Sequence, residues 1–435
     1  MAPSTTVRVV VVGAGVVGCS LAMHLARSGA SVEVLDKGDI CAGMSARSGA
    51  LVRMHYTFAP EAALALASLR YFQNWPDAVG GDCGFMPTGF AIVVDSANAK
   101  ALRANVAMLR RLGVDSDIIS PDDLHRLDPH LSLNGVALAA YEPHSGYADP
   151  IATTTSLADA ARRAGARFHL NTPIASIRTR AARAIGAMDA AGHFHEADAV
   201  CLVTGPWTGP LLAPLGARIP ITPERAQIAF FSRGARIRHL TYIDTISGCY
   251  FRPHGREGGD VPIQRGGGHA PIQEELTLAG LGGAKLDDAD PDHFREANDA
   301  AFIDAVRRRL GARIPALAEA PYARGHAGIY DVTPDQRPIL DEIPGIDGLY
   351  VAAGFSGTGF KTAPAVGAAM AELILNGPLN IVIPSDVAES RDLRAAMDKD
   401  LRAIIAPFSY TRFMTGNLIA SEHEYTMGAD FGHTL

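Results

Sequence analysis

The strongest pattern in the chain lies at its start. Val7 to Val12 is a β-branched run broken only by Arg8, the composition of a strand covered on both faces. A glycine turn follows. Apolar positions at Val17, Leu21, Met23 and Leu25 then predict a helix over Val16–Ser28, ended by Gly29. Ser31 to Leu35 reads as a second strand, so the chain opens with a βαβ unit. Further on, Met86–Val94 reads as a strand and Ser96–Leu112 as a helix. From Ile221 to Pro253 the stretches AQIAFF, HLTYIDT and GCYFRP predict antiparallel strands. Asp292–Leu310 predicts a helix with Phe294, Ala301, Phe302 and Val306 on one face. GLYVAAG gives a strand ending at Gly354, and an apolar helix begins near Ala363. Residues 386–435 read as an appendix, an amphipathic helix followed by a tail with few packing signals.

At 435 residues the chain exceeds one ordinary core. Its 48% apolar and 20% charged residues match a globular protein. A net charge of −7 argues against a nucleic-acid partner, which favours a basic surface. The five cysteines show neither zinc-site spacing nor a disulfide framework, so no metal site is expected and a reducing, cytoplasmic setting is. The apolar N-terminus is broken by glycines and followed by His24, Arg27, Glu33 and Asp36, which is unlike a secretory segment. No uninterrupted apolar run is long enough to span a bilayer.

Gly13, Gly15 and Gly18 form a GxGxxG turn between the first strand and its helix. The first permits a tight turn, the second lets backbone approach a pyrophosphate, and the third lets helix and strand pack closely. Val16 and Val17 then present N–H groups and the positive dipole end to the phosphates. Asp36, followed by Lys37, closes the second strand where a carboxylate can accept from an adenosine ribose. This motif alone does not separate FAD from NAD.

The next segment, GMSARSGALVRMHY, brings Ser45, Arg47, Ser48 and Gly49, small or polar groups suited to a second phosphate or a ring edge. Far downstream, Gly354, Gly357, Thr358, Gly359, Phe360 and Lys361 form another glycine-rich helix start. Two such starts fit a long dinucleotide whose ring lies far from its adenine.

At these residues the chain resembles the flavin-dependent amine oxidoreductases that include D-amino acid oxidase, glycine oxidase and sarcosine oxidase. It is most similar to the sarcosine oxidase branch with its β-subunit-like members. The resemblance covers the first glycine turn, SARSGALVR, LVTGPWTG with Gly205 and Trp207, ITPERAQ, YFRP, and the TPDQRPI to GFSGTGFKTAPAVG block. It implies an α/β fold: a Rossmann-like FAD-binding domain of the glutathione-reductase type, in discontinuous segments 1–85, 145–225 and 325–385. An α+β substrate domain with an antiparallel sheet would take 86–144 and 226–324. FAD is the implied cofactor, and a small amino acid or secondary amine carrying a carboxylate the implied substrate, oxidised at its C–N bond.

In that branch an arginine and the lysine of GFSGxGFK hold the substrate carboxylate; here they are Arg53 and Lys361. An arginine fork binds a carboxylate bidentately and a lysine adds a point charge. Lys361 also opposes the dipole of its own helix start. The alternatives are a solvated surface lysine and, for Arg53, a structural ion pair. His55, Tyr56, Tyr250 and Arg252 are secondary catalytic candidates, with packing as the competing role.

Two departures refine the resemblance. Covalent flavin in these relatives uses a cysteine just before the TPD block, where this chain has Gly328, or a histidine where it has Arg47. Non-covalent FAD is therefore expected. Relatives that react quickly with oxygen carry a lysine after YFRP, a position that falls near Gln264 and Arg265 here. Oxygen and a quinone or protein thus stand as alternative electron acceptors. Competing readings are a subunit of a heteromeric complex docked through residues 386–435, and a flavin-binding assembly factor without catalysis. A homo-oligomer through the same appendix is a further form. An NAD-dependent dehydrogenase is disfavoured, since it needs no second glycine cradle.

Overall fold

The computed structural model describes residues 6–234, 237–255, 275–282, 286–378, 400–421 and 423–426. The opening apolar run becomes the strand Arg8–Val12, inside a six-stranded sheet. Across that sheet the order is Ile339–Glu342, Leu349–Ala353, Ala199–Leu202, Arg8–Val12, Ser31–Leu35 and Arg167–His169. All neighbours are parallel except the first two, which are antiparallel. Alternate residues of a strand face opposite sides of a sheet. Val9 and Val11 join the core beneath the helices Val16–Arg27 and Gly359–Asn376, whereas Val10 and Val12 pack with Ile177, Leu202 and Leu212. Burial on both faces explains why the run carries no polar alternation. The two helices meet at Gly367, where a Cβ would lie 2.2 Å from Ser20 Oγ.

A nine-stranded sheet forms the second layer. Its path runs Asp287–Asp288, Thr222–Ser232, Leu276–Leu281, Cys249–His254, Thr241–Asp244, Phe90–Val94, Leu138–Glu142 and Asp117–Ile119, with Tyr322–Val332 added beside Thr222–Ser232. The three sequence-predicted strands all lie in it. Pairing is antiparallel except where Thr241–Asp244 runs parallel to Phe90–Val94. Thr222–Ser232 and Tyr322–Val332 form a long ribbon, and its pairing sets Ala226 opposite Gly328 and Glu224 opposite Tyr330.

Several boundaries differ from expectation. The helix foreseen from Asp292 begins at Ala300. The intervening residues are held out of helical form by specific bonds: Asp292 accepts from Lys37 and Trp207, and the carbonyl of Glu296 accepts from the amide of Ala327. Phe294 therefore leaves the helix face and lies under the Arg47 guanidinium. The last long helix starts at Gly359 rather than near Ala363 and contains Pro364. Ser68 Oγ donates to the Thr362 carbonyl and accepts from the Ala365 amide, satisfying backbone groups around that proline. Helices Ala59–Gln73 and Pro150–Arg163 were not foreseen; the first is buried along most of its length and carries no amphipathic period.

The C-terminal segment is not a loose tail over its described residues. Ile404, Ile405 and Phe408 enter the main core. Arg412 holds Asp335 through two bonds of 2.7 and 3.1 Å, both partners buried. Asn98 and Asn105 donate to the carbonyls of Thr426 and His423. Residues 379–399, 422 and 427–435 of the foreseen appendix lie outside the described residues, as do Gln264 and Arg265.

Candidate active site

One cavity of about 1230 Å³ runs from the first glycine turn to the second. It is built first by the turn after Arg8–Val12. Gly13 has φ +116°, a conformation costly for any side chain, and its Cβ would lie 2.5 Å from the Val203 carbonyl. A Cβ on Gly18 would lie 2.0 Å from the Gly13 carbonyl, so helix and strand touch there, and Gly18 stays behind the lining. Gly15, Val16 and Val17 face the cavity. Ser45 Oγ caps this helix start by accepting from the Val16 amide at 3.0 Å. Asp36 also lines the cavity. Its oxygens accept from the amides of Ala14 (2.6 Å) and Gly38 (2.8 Å), fixing the turn, and each keeps a lone pair for a further donor.

Beyond Asp36 the wall is made by Lys37, Trp207 and Asp292. Lys37 Nζ stands 4.0 Å from the centre of the Trp207 ring and 2.5 Å from Asp292 Oδ1, which also accepts from Trp207 Nε1. Gly205 borders this end. In the middle, Arg47 donates to the Ala327 carbonyl and pairs with Glu296, and a Cβ on Gly328 would lie 3.2 Å from Arg47 Cβ. Ser48 and Gly49 line the same stretch; Ser48 Oγ accepts from the Ala50 amide.

The far end rises from the second helix start, Gly357 to Lys361. Gly354 sits behind it. Its amide donates to Asp331 Oδ2 at 2.6 Å, and burial raises the Asp331 carboxyl to about 6 against four backbone donors that lower it. A Cβ on Gly357 would lie 3.0 Å from the Tyr330 ring, so glycine lets the loop close on that tyrosine. Thr358 Oγ1 donates to the Phe355 carbonyl, and Phe360 packs against Phe72.

The charged residues of this end gather around Lys361, at the end of that helix start. Lys361 is only 7% exposed, which excludes a surface lysine. Burial, with the Arg53 charge second, lowers its ammonium to about 7, while Glu61 acts in the opposite direction. The Arg53 guanidinium lies 4.5 Å and the Lys361 ammonium 5.9 Å from the Tyr56 ring centre. Arg53 also donates to the His55 carbonyl. The Tyr56 hydroxyl is buried without a hydrogen-bond partner among the described residues.

The reading of the sequence missed Glu61 and Arg337, which complete this cluster. Glu61 Oε2 lies 2.9 Å from Arg337 Nε, yet neither atom makes an aligned hydrogen bond. Close charge without alignment is an ion pair open to a further partner. Burial raises the Glu61 carboxyl, opposed by Arg337, Arg53 and Lys361. Its only sequence signal was Pro60-Glu61 at a helix start.

The remaining candidates divide. His55 lines the cavity, and its Nε2 lies 2.6 Å from the Tyr425 hydroxyl. Burial and then the Arg53 charge lower its pKa to about 3, so it is uncharged at neutral pH. Tyr250 borders the cavity, its phenol held well above the usual range by burial and by Tyr330. Arg252 is not among the lining residues. It is buried, donates to the Gly49 carbonyl at 2.6 Å and stacks on Tyr147, so it braces the Ser48–Gly49 stretch.

A mostly parallel sheet covered on both faces feeds two glycine-rich helix starts into one cavity. The chain matches the family model for DAO, FAD dependent oxidoreductase, over residues 8–373, and it belongs to that family. Its cofactor is FAD, and it is an oxidoreductase of the amino acid and amine oxidase type. It is 27% identical over 427 residues to FAD-dependent oxidoreductase domain-containing protein 1 of Bos taurus, across 88% of this chain and 84% of that one. It is 26% identical to 4-methylaminobutanoate oxidase (formaldehyde-forming) of Paenarthrobacter nicotinovorans, across 86% of this chain but only 44% of that longer protein. Among solved structures it resembles L-proline dehydrogenase from P. horikoshii, with a TM-score of 0.79, 24% identity and coverage of 95% and 99% of the two chains. At that identity the likeness concerns the fold. No helix among the described residues is long and apolar enough to cross a membrane.

Proposed function

We propose that the protein oxidises the C–N bond of a small amino acid or secondary amine that carries a carboxylate, with FAD bound non-covalently. The observation that carries this reading is the pair of cations at the Tyr56 ring: half-buried Arg53 and buried Lys361, the latter carried by the second glycine-rich helix start. The parallel-sheet strands come from residues 8–35, 167–202 and 339–353, which supports an FAD domain in three segments; the nine-stranded sheet is then the substrate domain.

The cradles fit the cofactor. Gly13, Gly15 and the amide end at Val16–Val17 would hold the pyrophosphate, Asp36 the ribose, and Gly357 to Phe360 the far end of FAD. One part of the chemistry comes from FAD when bound: acceptance of the hydride from the substrate carbon next to nitrogen. The rest belongs to the chain. Arg53 and Lys361 bind the carboxylate, and in a buried setting such charge-assisted bonds are strong. The carboxylate would raise the Lys361 pKa, since an opposite charge favours the ammonium. The Tyr56 hydroxyl, without a hydrogen-bond partner among the described residues, offers a donor to the bound substrate, and Glu61, paired with Arg337, offers a carboxylate to its amine. Uncharged His55 adds no further cation to Arg53, Lys361 and Arg337.

Anaerobic reduction of the yellow protein by D-, L- and N-methyl amino acids, imino acids and their decarboxylated analogues tests the reading. Reduction by a carboxylate-bearing amine and not by its analogue supports it; reduction only by amines without a carboxylate rejects it. Admitting oxygen afterwards distinguishes an oxidase from an enzyme that uses a quinone or protein acceptor.

A further inference from the structure

We propose that Glu33, His169 and His195 form a binding site for a divalent transition-metal ion of the zinc type, at the edge of the parallel sheet and apart from the redox cavity. The three residues come from separate strands: Ser31–Leu35, Arg167–His169 and Phe194–Glu196. No local spacing in the sequence links them, so a search for ligand motifs does not find them.

One ligand atom from each lies within 4.8 Å of the other two. Glu33 Oε2 is 3.0 Å from His195 Nδ1 and 3.6 Å from His169 Nε2. Ligands about 2.0–2.2 Å from a tetrahedral zinc stand about 3.4 Å apart, so both separations match a shared ion with little movement. His169 Nε2 and His195 Nε2 are both buried with no hydrogen-bond partner among the described residues. An unpaired imidazole nitrogen in such a place costs stability. Coordination would satisfy the first.

Asp189 accounts for the second. Its Oδ2 lies 3.5 Å from His195 Nε2, on the side of the ring away from Glu33. With Nδ1 on the metal, Nε2 carries the proton and faces this carboxylate, the usual outer partner of a metal-bound histidine. Asp189 is fixed by the amides of Ala191 and His193 and by His193 Nδ1. The nearby cation, Arg167, bonds Glu33 Oε1 at 2.7 Å; Oε2 shares a hydrogen bond with His195 Nδ1, which a bound ion would replace with a bond to each.

The site touches the cofactor end of the sheet through backbone. The His169 carbonyl accepts from the Asp36 amide, and the Asp36 carbonyl accepts from the Thr172 amide. A metal joining these strands would stiffen the support of Asp36.

The test uses tag-free holoprotein, stripped with a chelator and then dialysed against micromolar zinc. Elemental analysis should find one zinc per chain, with a rise in Tm on loading. His169→Gln and Glu33→Gln should each lose the zinc and the Tm response while keeping the wild-type flavin spectrum, which shows that they fold. Wild-type protein that retains no zinc, or variants that retain as much as wild type, would overturn the proposal. This outcome is independent of which amine the cavity accepts.

Discussion

The hydroxyl of Tyr425 lies 2.6 Å from Nε2 of His55, joining residues 370 positions apart in the chain. The contact brings the C-terminal segment into the wall of the active-site cavity, where both residues stand. Tyr425 is buried against Phe90 and Ile92, so it belongs to the core as well as to the site. Replacing it with phenylalanine leaves His55 without its buried partner. Tyr425→Phe should lower stability by about 1–3 kcal/mol. Urea unfolding checks this, and an unchanged midpoint would show that the contact contributes nothing.

Lys361 gives a pH dependence of defined sign. Its folded pKa of about 7 lies below the 10.5 of an ordinary lysine. Between those values the unfolded chain holds a proton that the folded chain has released, so stability rises with pH across this window. Below it both states are charged, and the full burial penalty remains. Lys361→Met should therefore stabilise the protein more at about pH 6 than at about pH 10. Melting curves at both values check this; an equal gain at the two would contradict it.

Gly18 has no room for a side chain, since a Cβ would lie 2.0 Å from the Gly13 carbonyl. Gly18→Ala must push the helix from the strand, with a cost of roughly 1–3 kcal/mol for such overpacking. The displacement falls on the phosphate end of the cavity. The variant should purify with less flavin than wild type, read from its visible absorbance; full flavin content and wild-type Tm would argue against this packing.

Gly328 and Arg47 adjoin one another, and neither offers a nucleophile for a covalent link to flavin. Acid precipitation should leave all flavin in the supernatant. Flavin that stays with the pellet would contradict this.

Much of the fold was legible because local rules determine it. The unbroken run Val9–Val12 announced a doubly covered strand, and Gly13 and Gly18 perform the turn and the close packing their spacing suggested. Arg53 and Lys361 were picked out through their motifs, and the fold brings both to the Tyr56 ring. Other features depend on tertiary partners. Ala59–Gln73 is buried along most of its length, so it lacks the periodicity that reveals surface helices. The false helix start at Asp292 reflects apolar spacing overruled by Lys37, Trp207 and Arg47, which come from distant segments. Glu61 and Arg337 carry no motif; only the fold sets them together. Tyr425 looked like part of a tail because its partners lie more than three hundred residues upstream.

The central claim is that Arg53 and Lys361 form a carboxylate site facing the flavin. Titration of the holoprotein with acetate, followed by the flavin absorption spectrum, tests it most directly. Wild type should show a saturable perturbation, tighter at about pH 6 than at about pH 9 because Lys361 loses its proton between them. Arg53→Met and Lys361→Met should each weaken binding by about 10- to 100-fold, the loss of one charged hydrogen bond. A perturbation of equal affinity in wild type and both variants would contradict the account.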